Sequence, residues 1–316
     1  MISYIIRRMM VGVLTVWVIS LLVFGIFFAM PGVGDPAYRM AGKNPTPDMV
    51  AQIRKEWCFD KPIPVTYVCH MKKLFTGKYI SPSMRVDVVP LAMKALPVTF
   101  SLTVFASIIW LTAGILMGNT GAKKQGSTAD RVITIVSLAG VSVPMAWLSI
   151  YSLKTWTDTI PLFPAGGYES ISEGGIFGWM YHILLPAATL SVVFAGVYAR
   201  MARSNIRQAL NEEHVKTAIA KGLPRRHIHL HHVLRTGLIP IIVLFGLDLA
   251  GLMGGAIFTE SIFGLPGLGS VLMNGIGTFD FTLLTVGALI GATFVVIMNI
   301  VVDVVQAIAD PRIRLA

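Results

Sequence analysis

Apolar residues along this chain come in long unbroken runs, not in the spaced stripe of a surface helix or the alternation of a half-buried strand. Six runs stand out, at roughly 9–30, 97–119, 131–153, 180–199, 237–259 and 282–306. A helix needs ~20 consecutive apolar residues to cross the hydrocarbon of a bilayer, and each run has about that length. One soluble core could not hide six of them. The pattern predicts an all-α, polytopic membrane protein with six transmembrane helices. The expected layout is a first transmembrane helix within residues 1–30, an extracytoplasmic loop or cap at 31–96, and a core domain of five transmembrane helices at 97–316 that contains a polar loop at 200–236. Arg7 and Arg8 precede the first run as they would in a secretory signal. The run is too long for a signal's apolar region, and no small-residue cleavage site closes it. It is expected to stay as an uncleaved helix.

Between the runs, polar punctuation predicts short elements. Pro31, Pro36, Pro45, Pro47, Pro62 and Pro64 interrupt the start of the long loop. "TPDMVAQIRKEW" between them reads as a helix capped by Thr46 with Pro47 in its first turn, and "PVTYVCHMKKLF" as a second. "NEEHVKTAIAKGLP" carries both ends of a third. Asn211 is a suitable N-cap, Glu212 and Glu213 favour the positive end of the helix dipole, Gly222 suits a left-handed closing residue and Pro224 forbids continuation. The resulting helix, about Glu212–Lys221, is too short to be stable alone. Val215, Ala218 and Ile219 fall on one face that something must cover.

Composition changes the picture only through position. The chain is 54% hydrophobic and 13% charged, with a net charge of +10. A basic chain of this kind invites a nucleic-acid reading, but the cations follow the membrane pattern. Lys123, Lys124 and Arg131 flank the second and third runs. Arg200, Arg203, Arg207, Lys216, Lys221, Arg225, Arg226 and Arg235 lie between the fourth and fifth. The opposite loops carry Asp158, Glu169 and Glu173, and then Glu260 and Asp280. The positive-inside rule therefore places both termini in the cytoplasm and accounts for the basicity without nucleic acid. The loop at 31–96, with ten basic and five acidic residues, is then outside; loops beyond ~60 residues translocate largely regardless of charge. It holds both cysteines, Cys58 and Cys69. An oxidising exterior favours a disulfide between them, the alternative being two unrelated thiols.

Candidate chemistry is sparse. Asp248 and Asp303 lie within predicted spans, where a carboxylate is costly. Asp303 is near the cytoplasmic end of its span. Asp248, in "LFGLDLAGLMGG", must face protein or water. It either partners a backbone or hydroxyl group in a helix interface or lines a polar pathway. Gly251, Gly254 and Gly255 after it are expected to allow close helix packing. "RRHIHLHHVLR" concentrates His227, His229, His231 and His232. In a helix His227 and His231 share a face while His232 points elsewhere, the neighbours are cationic and no acid completes a set, so no metal site is expected. No H-E-x-x-H occurs, Ser270 in "GLGS" has no histidine nearby in sequence, and no catalytic residue is expected.

Several stretches, in order, resemble the peptide/nickel branch of binding-protein-dependent ATP-binding-cassette importer permeases. "TAIAKGLPRRHI…HHVLRTGLIPII" is similar to the family's cytoplasmic loop. Gly222 occupies its glycine, and Lys216, Thr217 and Ala218 stand where many members have Glu-Ala-Ala. "ISYIIRRMM" resembles the branch's N-terminus. "MPGVGDPA" resembles its Pro-Gly-Asp-Pro exit from the first span, with Val33 and Gly34 inserted, and "FDKPIPVTY" a segment of its outer loop. "TESIFGLPGLGSVLMNGI" resembles the loop before its last span, and "VVDVVQAIADPRIR" its C-terminal signature. The resemblance implies the type I importer permease fold and a place in the cell (inner) membrane, with a homologous second permease subunit, two ATP-binding subunits and an extracytoplasmic substrate-binding protein as partners. ATP and magnesium would sit in the ATPase partners and no cofactor in this chain, which has no G-x-x-x-x-G-K-[ST] phosphate loop.

On that resemblance Glu212, Glu213, Val215, Lys216, Thr217, Ala218, Lys221 and Gly222 would form the ATPase-coupling element. Phe263, Leu265, Pro266 and Gly267 would face the outer gate or the binding protein. The expected cargo is short peptides, with nickel or another small non-peptide cargo as the alternative. An ion-coupled secondary transporter is disfavoured because Asp248 is the one good internal carboxylate and no inverted repeat is visible. An intramembrane hydrolase lacks its motif.

Overall fold

The computed structural model describes residues 2–28, 34–41, 45–253 and 256–309. Regular structure among them is helical apart from one antiparallel bridge, Ile80 to Asp87. Five helices are long and apolar enough to cross a membrane: Ile6–Phe28, Val88–Lys123, Ile171–Leu210, Arg225–Leu252 and Phe281–Val304. The third apolar run departs from the expected straight span. It forms two helices, Thr128–Ser142 and Met145–Thr159, bent by 99°. Pro144 between them is the cause. Proline disfavours the α conformation in the residue before it, and Val143 is extended at φ −82°, ψ 127°. The predicted fifth span, 237–259, also stops early. Its helix ends at Met253, and Thr259 belongs to a separate short helix. Residues Pro31 to Val33 of "MPGVGDPA", Gly254, Gly255 and the terminal "DPRIRLA" lie outside the described residues.

The chain forms two compact units. The first comprises residues 1–100 with 253–297. In chain order it begins with α1 (Ile2–Phe28), α2 (Pro36–Ala41), α3 (Pro47–Glu56) and α4 (Ile63–Phe75), and continues into α5 (Val88–Lys123). The two short helices of the predicted cap are both present. Thr46 caps α3 by accepting from Met49 N–H, with Pro47 at the first position. Cys58 and Cys69 are joined by a disulfide, their Cα atoms 6.4 Å apart. A core of Trp57, Tyr79, Val88, Ala92, Leu268 and Phe281 holds the unit together. Within it His70 is 1% exposed and ringed by Phe24, Phe28, Trp57, Phe59 and Phe281. Burial, aided by the Lys73 charge, lowers this imidazole to about 3, so it acts as a neutral aromatic filler.

The second unit comprises residues 101–252 with 298–316. It holds the end of α5, then α6 (Thr128–Ser142), α7 (Met145–Leu153), α8 (Ile171–Leu210), α9 (Glu213–Ala220), α10 (Arg225–His227) and α11 (Leu234–Met253). α8 is its axis, and small residues bring neighbours onto it. A Cβ on Gly114 of α5 would lie 2.5 Å from the Tyr198 Cβ, and one on Gly118 would lie 2.5 Å from that of Ala202. Gly196 of α8 meets the Ser137 carbonyl of α6 equally closely. Apolar lipid gives helices no reason to associate, so such close backbone contact supplies the dispersion energy that does. Gly251, expected to serve this purpose, has open space around it; Gly246, against Val302, does so instead.

Candidate functional site

The loop between α8 and α11 is built from short, separately closed pieces. Asn211, expected to begin the short helix, closes α8, and Glu212 is the N-terminal cap of α9. At the other end Gly222 is left-handed at φ +72°. Its N–H donates to the Ile219 carbonyl at 2.9 Å, and Leu223 N–H donates to that of Ala218 at 3.3 Å. Glycine accepts this conformation without the Cβ clash that other residues suffer.

The helix is then sided in a way that periodicity alone could not settle. Val215 and Ala218 are buried within the unit, where α9 packs on the π-helical turn Ile228–Val233 through which α10 passes into α11. Ile219, predicted to share their face, is 60% exposed. Glu213, Lys216, Thr217 and Lys221 are exposed with it, and Lys216 Nζ pairs with Glu213 at 2.8 Å. The apolar face therefore anchors α9 to its own chain, and the polar face is the one open to a partner.

The histidines serve the same framework. His227 and His231 do share a face, their rings stacked with centroids 4.2 Å apart. The His232 ring lies 6.0 Å from that of His227 and 6.1 Å from that of His214 of α9, and His229 Nε2 lies 2.8 Å from Asn119 Oδ1 of α5. Stacked rings present faces, not lone pairs, to one another. Among the described residues no group of three or more histidine, cysteine or acidic side chains could hold a metal ion.

A third element of this region went unnoticed in the sequence. Asp130, in the first turn of α6, is 3% exposed and accepts from Arg203 Nη2 at 2.6 Å and Arg207 Nη2 at 3.0 Å, both on α8. Gly126 N–H donates to the same oxygen at 3.0 Å. The two arginines, explicable as positive-inside residues, thus lock the α5–α6 turn to the stem of the loop. Asp130→Asn leaves both guanidinium groups facing an uncharged amide. The apparent melting temperature of the purified protein is expected to fall by several degrees; a variant that melts with wild type would show the triad to be dispensable.

Asp248, also in this unit, accepts from the Tyr198 hydroxyl at 2.9 Å. That is the hydroxyl partnership offered as one of its two readings.

In the first unit the "FGLPGLG" turn connects α12 (Ile257–Ile262) to α13 (Leu268–Thr278), with α14 (Phe281–Ala309) following. The turn closes on Glu260, which is fully buried rather than a loop acid in water. Thr99 donates to its carboxylate at 2.7 Å and Ser270 N–H at 3.2 Å, while Leu268 N–H donates to the Thr99 hydroxyl at 2.8 Å. Gly267 and Gly269 lie against the carboxylate where any Cβ would collide with it. Burial raises this acid above the usual range, and its hydrogen bonds offset that only in part. Phe263 and Leu265 are each 1% exposed and Gly267 is buried, so only Pro266, beside Gly264, is open.

Asp280 is likewise buried, at 4%. One oxygen accepts from Ser81 Oγ and Ser83 Oγ, each at 2.6 Å, and from Ser83 N–H at 3.2 Å. The other accepts from Thr282 N–H at 3.0 Å, Thr282 Oγ1 at 2.6 Å and Leu283 N–H at 3.3 Å, at the start of α14.

With this geometry in view, known proteins match over the whole chain. Residues 110–315 match the family described as binding-protein-dependent transport system inner membrane component, and residues 1–103 match the N-terminal region of binding-protein-dependent transport system membrane components. The chain is 33% identical over 316 residues to a probable peptide ABC transporter permease protein of Sinorhizobium fredii, covering 98% of this chain and 99% of that one. It is 32% identical to a di/tripeptide transport system permease protein of Pseudomonas aeruginosa, covering 99% of each. An oligopeptide transport system permease protein of Bacillus subtilis is 31% identical over 317 residues, covering 99% of this chain and 100% of that one.

Proposed function

The chain belongs to the family of binding-protein-dependent transport system inner membrane components, and from that premise we propose that it forms half of the translocation pathway of an ATP-driven importer of short peptides. It is a multi-pass protein of the cell membrane. The peptide cargo is inferred from relatives whose names specify peptide, di/tripeptide and oligopeptide transport, each aligned over nearly its full length. The assembly we infer pairs this chain with a homologous second permease, two ATPase subunits and an extracytoplasmic binding protein. Hydrolysis of ATP, with its magnesium, belongs to the ATPases; this chain transmits motion and catalyses nothing. Both termini and the α8–α11 loop face the cytoplasm, as the distribution of cations argues.

The observation that carries the coupling role is the sidedness of α9. Val215 and Ala218 fasten it to the permease, Gly222 ends it abruptly, and Glu213, Lys216, Thr217, Ile219 and Lys221 are presented outward. A rigid, anchored helix with an open polar face can pass a displacement of an ATPase to α8 and α11, which flank it in the chain. The reading is tested in proteoliposomes containing the complex, the binding protein and a labelled tripeptide. Uptake that persists without the ATPase subunits would refute it.

Gly222→Val probes the coupling directly. A β-branched residue in the left-handed region costs about 1–3 kcal/mol, a strain the turn relieves by shifting α9. Peptide-stimulated ATP hydrolysis is expected to drop by roughly tenfold or more, while membrane abundance stays at the wild-type level. Unchanged stimulation in the variant would remove α9 from the coupling route.

A further inference from the structure

Among the described residues three other than glycine hold a left-handed backbone: Cys58, Arg85 and Phe279. Cys58 carries the disulfide. The other two are exposed, and one carboxylate ties their turns together. Phe279 follows α13 at φ +52°, ψ +34°. Its N–H donates to the Ile276 carbonyl at 3.3 Å, and Asp280 N–H donates to that of Gly275 at 2.9 Å. This is the closing position of a Schellman turn, where glycine is usual because a Cβ is strained there. A bulky residue in this conformation is an outlier. Strain of this kind gathers where a side chain is needed in one place. Phe279 gains no packing in return, since it is 77% exposed. The chain bears the strain and holds an aromatic ring out in the open.

The second strained residue belongs to the same structure. Ser81 N–H donates to the Val86 carbonyl at 2.9 Å and Arg85 N–H to that of Ser81 at 2.8 Å, which closes a tight loop. Ser81 and Ser83 of that loop bind Asp280, the residue after Phe279. Phe279, Pro82 and Ser83 line a recess of about 110 Å³ together with Met40 and Phe281. It is far below the ~300–1,000 Å³ of a small-molecule site, so it suits one inserted side chain, not a cargo molecule. Met84, 47% exposed, follows Ser83 at the tip of the loop.

The result is a firm knob with phenylalanine, methionine and arginine open to solvent. These residue types are enriched at the cores of protein–protein interfaces, and groups already fixed lose less freedom on binding. Charge narrows the partner. Arg54 and Lys73 of the cap are paired with Asp35 and Glu56, whereas among the described residues Lys78 and Arg85 make no ion pair. A surface that docks here must bring carboxylates. The exposed apolar groups are separated by Ser83, Arg85 and Thr278, which suits a partner that comes and goes. Permanent subunit interfaces are larger and more continuously apolar. The cation distribution that puts the α8–α11 loop in the cytoplasm puts this knob outside.

We propose that the knob of Met84, Arg85 and Phe279 is a docking point for the extracytoplasmic substrate-binding protein, which meets it with an acidic face and inserts one side chain into the recess beside Phe279. The proposal rests on the importer reading. It moves the outer contact from "FGLPGLG", most of which is buried, to the far end of α13.

The test uses the complete complex in nanodiscs and its binding protein loaded with a tripeptide, with affinity read by biolayer interferometry and stability by thermal melting. Phe279→Gly should weaken binding about tenfold. The same variant should melt about 1–3 °C above wild type, because strain is relieved and no packing is lost. Arg85→Asn keeps a residue that tolerates the left-handed conformation and removes the charge. It should weaken binding about threefold at low salt and converge with wild type near ~1 M salt, where the screening length is ~3 Å. A photoreactive phenylalanine analogue at position 279 should crosslink to the binding protein. Wild-type affinity in Phe279→Gly overturns the proposal and leaves the importer reading standing. A wild-type complex that captures no binding protein overturns both. Phe279→Gly melting several degrees below wild type would make the ring a structural element, and crosslinks confined to the second permease or to lipid would give the knob to those neighbours; either result overturns the proposal. Wild-type affinity in Arg85→Asn at low salt overturns the acidic face.

Discussion

Replacing Asp280 with alanine is expected to cost about 3 kcal/mol, the largest stability loss of any single substitution considered for this chain. The carboxylate does two jobs, one with each oxygen. Toward α14 it is the N-terminal cap, serving Thr282 and Leu283 N–H groups that no helical carbonyl can reach. Toward the segment after α4 it gathers Ser81 and Ser83, and Ser81 is fully buried. Alanine leaves the buried donors of Ser81, Thr282 and Leu283 desolvated and unpaired, which costs more than the bonds were worth in water. Asparagine keeps one acceptor and the size, so Asp280→Asn should lose about half as much.

The pH dependence follows from the same contacts. Burial works to raise the Asp280 carboxyl, but the hydrogen bonds from Ser81, Ser83 and Thr282 outweigh it and hold the group below the usual range. An acid depressed in the folded state adds stability above its unfolded pKa of about 3.9, and that stability is lost as pH falls through the depressed value. Apparent melting temperatures of the purified complex across an acidic pH series check this. Wild type should fall toward acid more steeply than Asp280→Asn; parallel curves would show that Asp280 does not carry the acid limb.

Glu260 should behave in the opposite sense. Its carboxyl is raised by burial, so its contribution is fully present below the unfolded pKa of about 4.3 and is lost as pH rises through the raised value. Glu260→Gln keeps the acceptor for Thr99 and abolishes that slope, so it should gain relative to wild type as pH rises. Glu260→Ala strips the partner from Thr99 and from Ser270 N–H and leaves a void beneath Gly267 and Gly269. A loss of about 2–3 kcal/mol is expected, with the turn around Pro266 becoming sensitive to proteolysis. If Glu260→Ala melts within about 0.5 kcal/mol of wild type, the carboxylate is not what closes the turn.

Much of the molecule was readable without its fold. The apolar runs located the five helices long enough to span, because a bilayer's thickness sets the length a crossing helix needs. Pro47 and Thr46 opened α3, and Gly222 with Pro224 closed α9, because these preferences are settled within one turn of backbone. The break at Pro144 was also written in the chain, but a long hydrophobic run outweighed one proline in the reading.

The acids were a different matter. Glu260 and Asp280 read as ordinary loop charges and Asp130 drew no notice, yet all three are buried. Each is held in part by a side chain remote in sequence, which no local pattern reveals. Thr99 is 161 residues from Glu260, Ser81 is 199 from Asp280, and Arg203 is 73 from Asp130. The glycines crowding Glu260 were the one available signal, because a carboxylate followed by closely spaced glycines has room to be wrapped. The sidedness of α9 was also undecided until the π-helical turn was in place. Val215, Ala218 and Ile219 have similar claims to an apolar face, and only the presence of Ile228 and Val233 selected the first two. Hydropathy and capping thus determined where the chain is helical and that it is a membrane protein, because those depend on neighbours in sequence. Which charges are buried, and which face of the short helix is left for a partner, depended on contacts made across the fold, and these the tertiary structure alone decided.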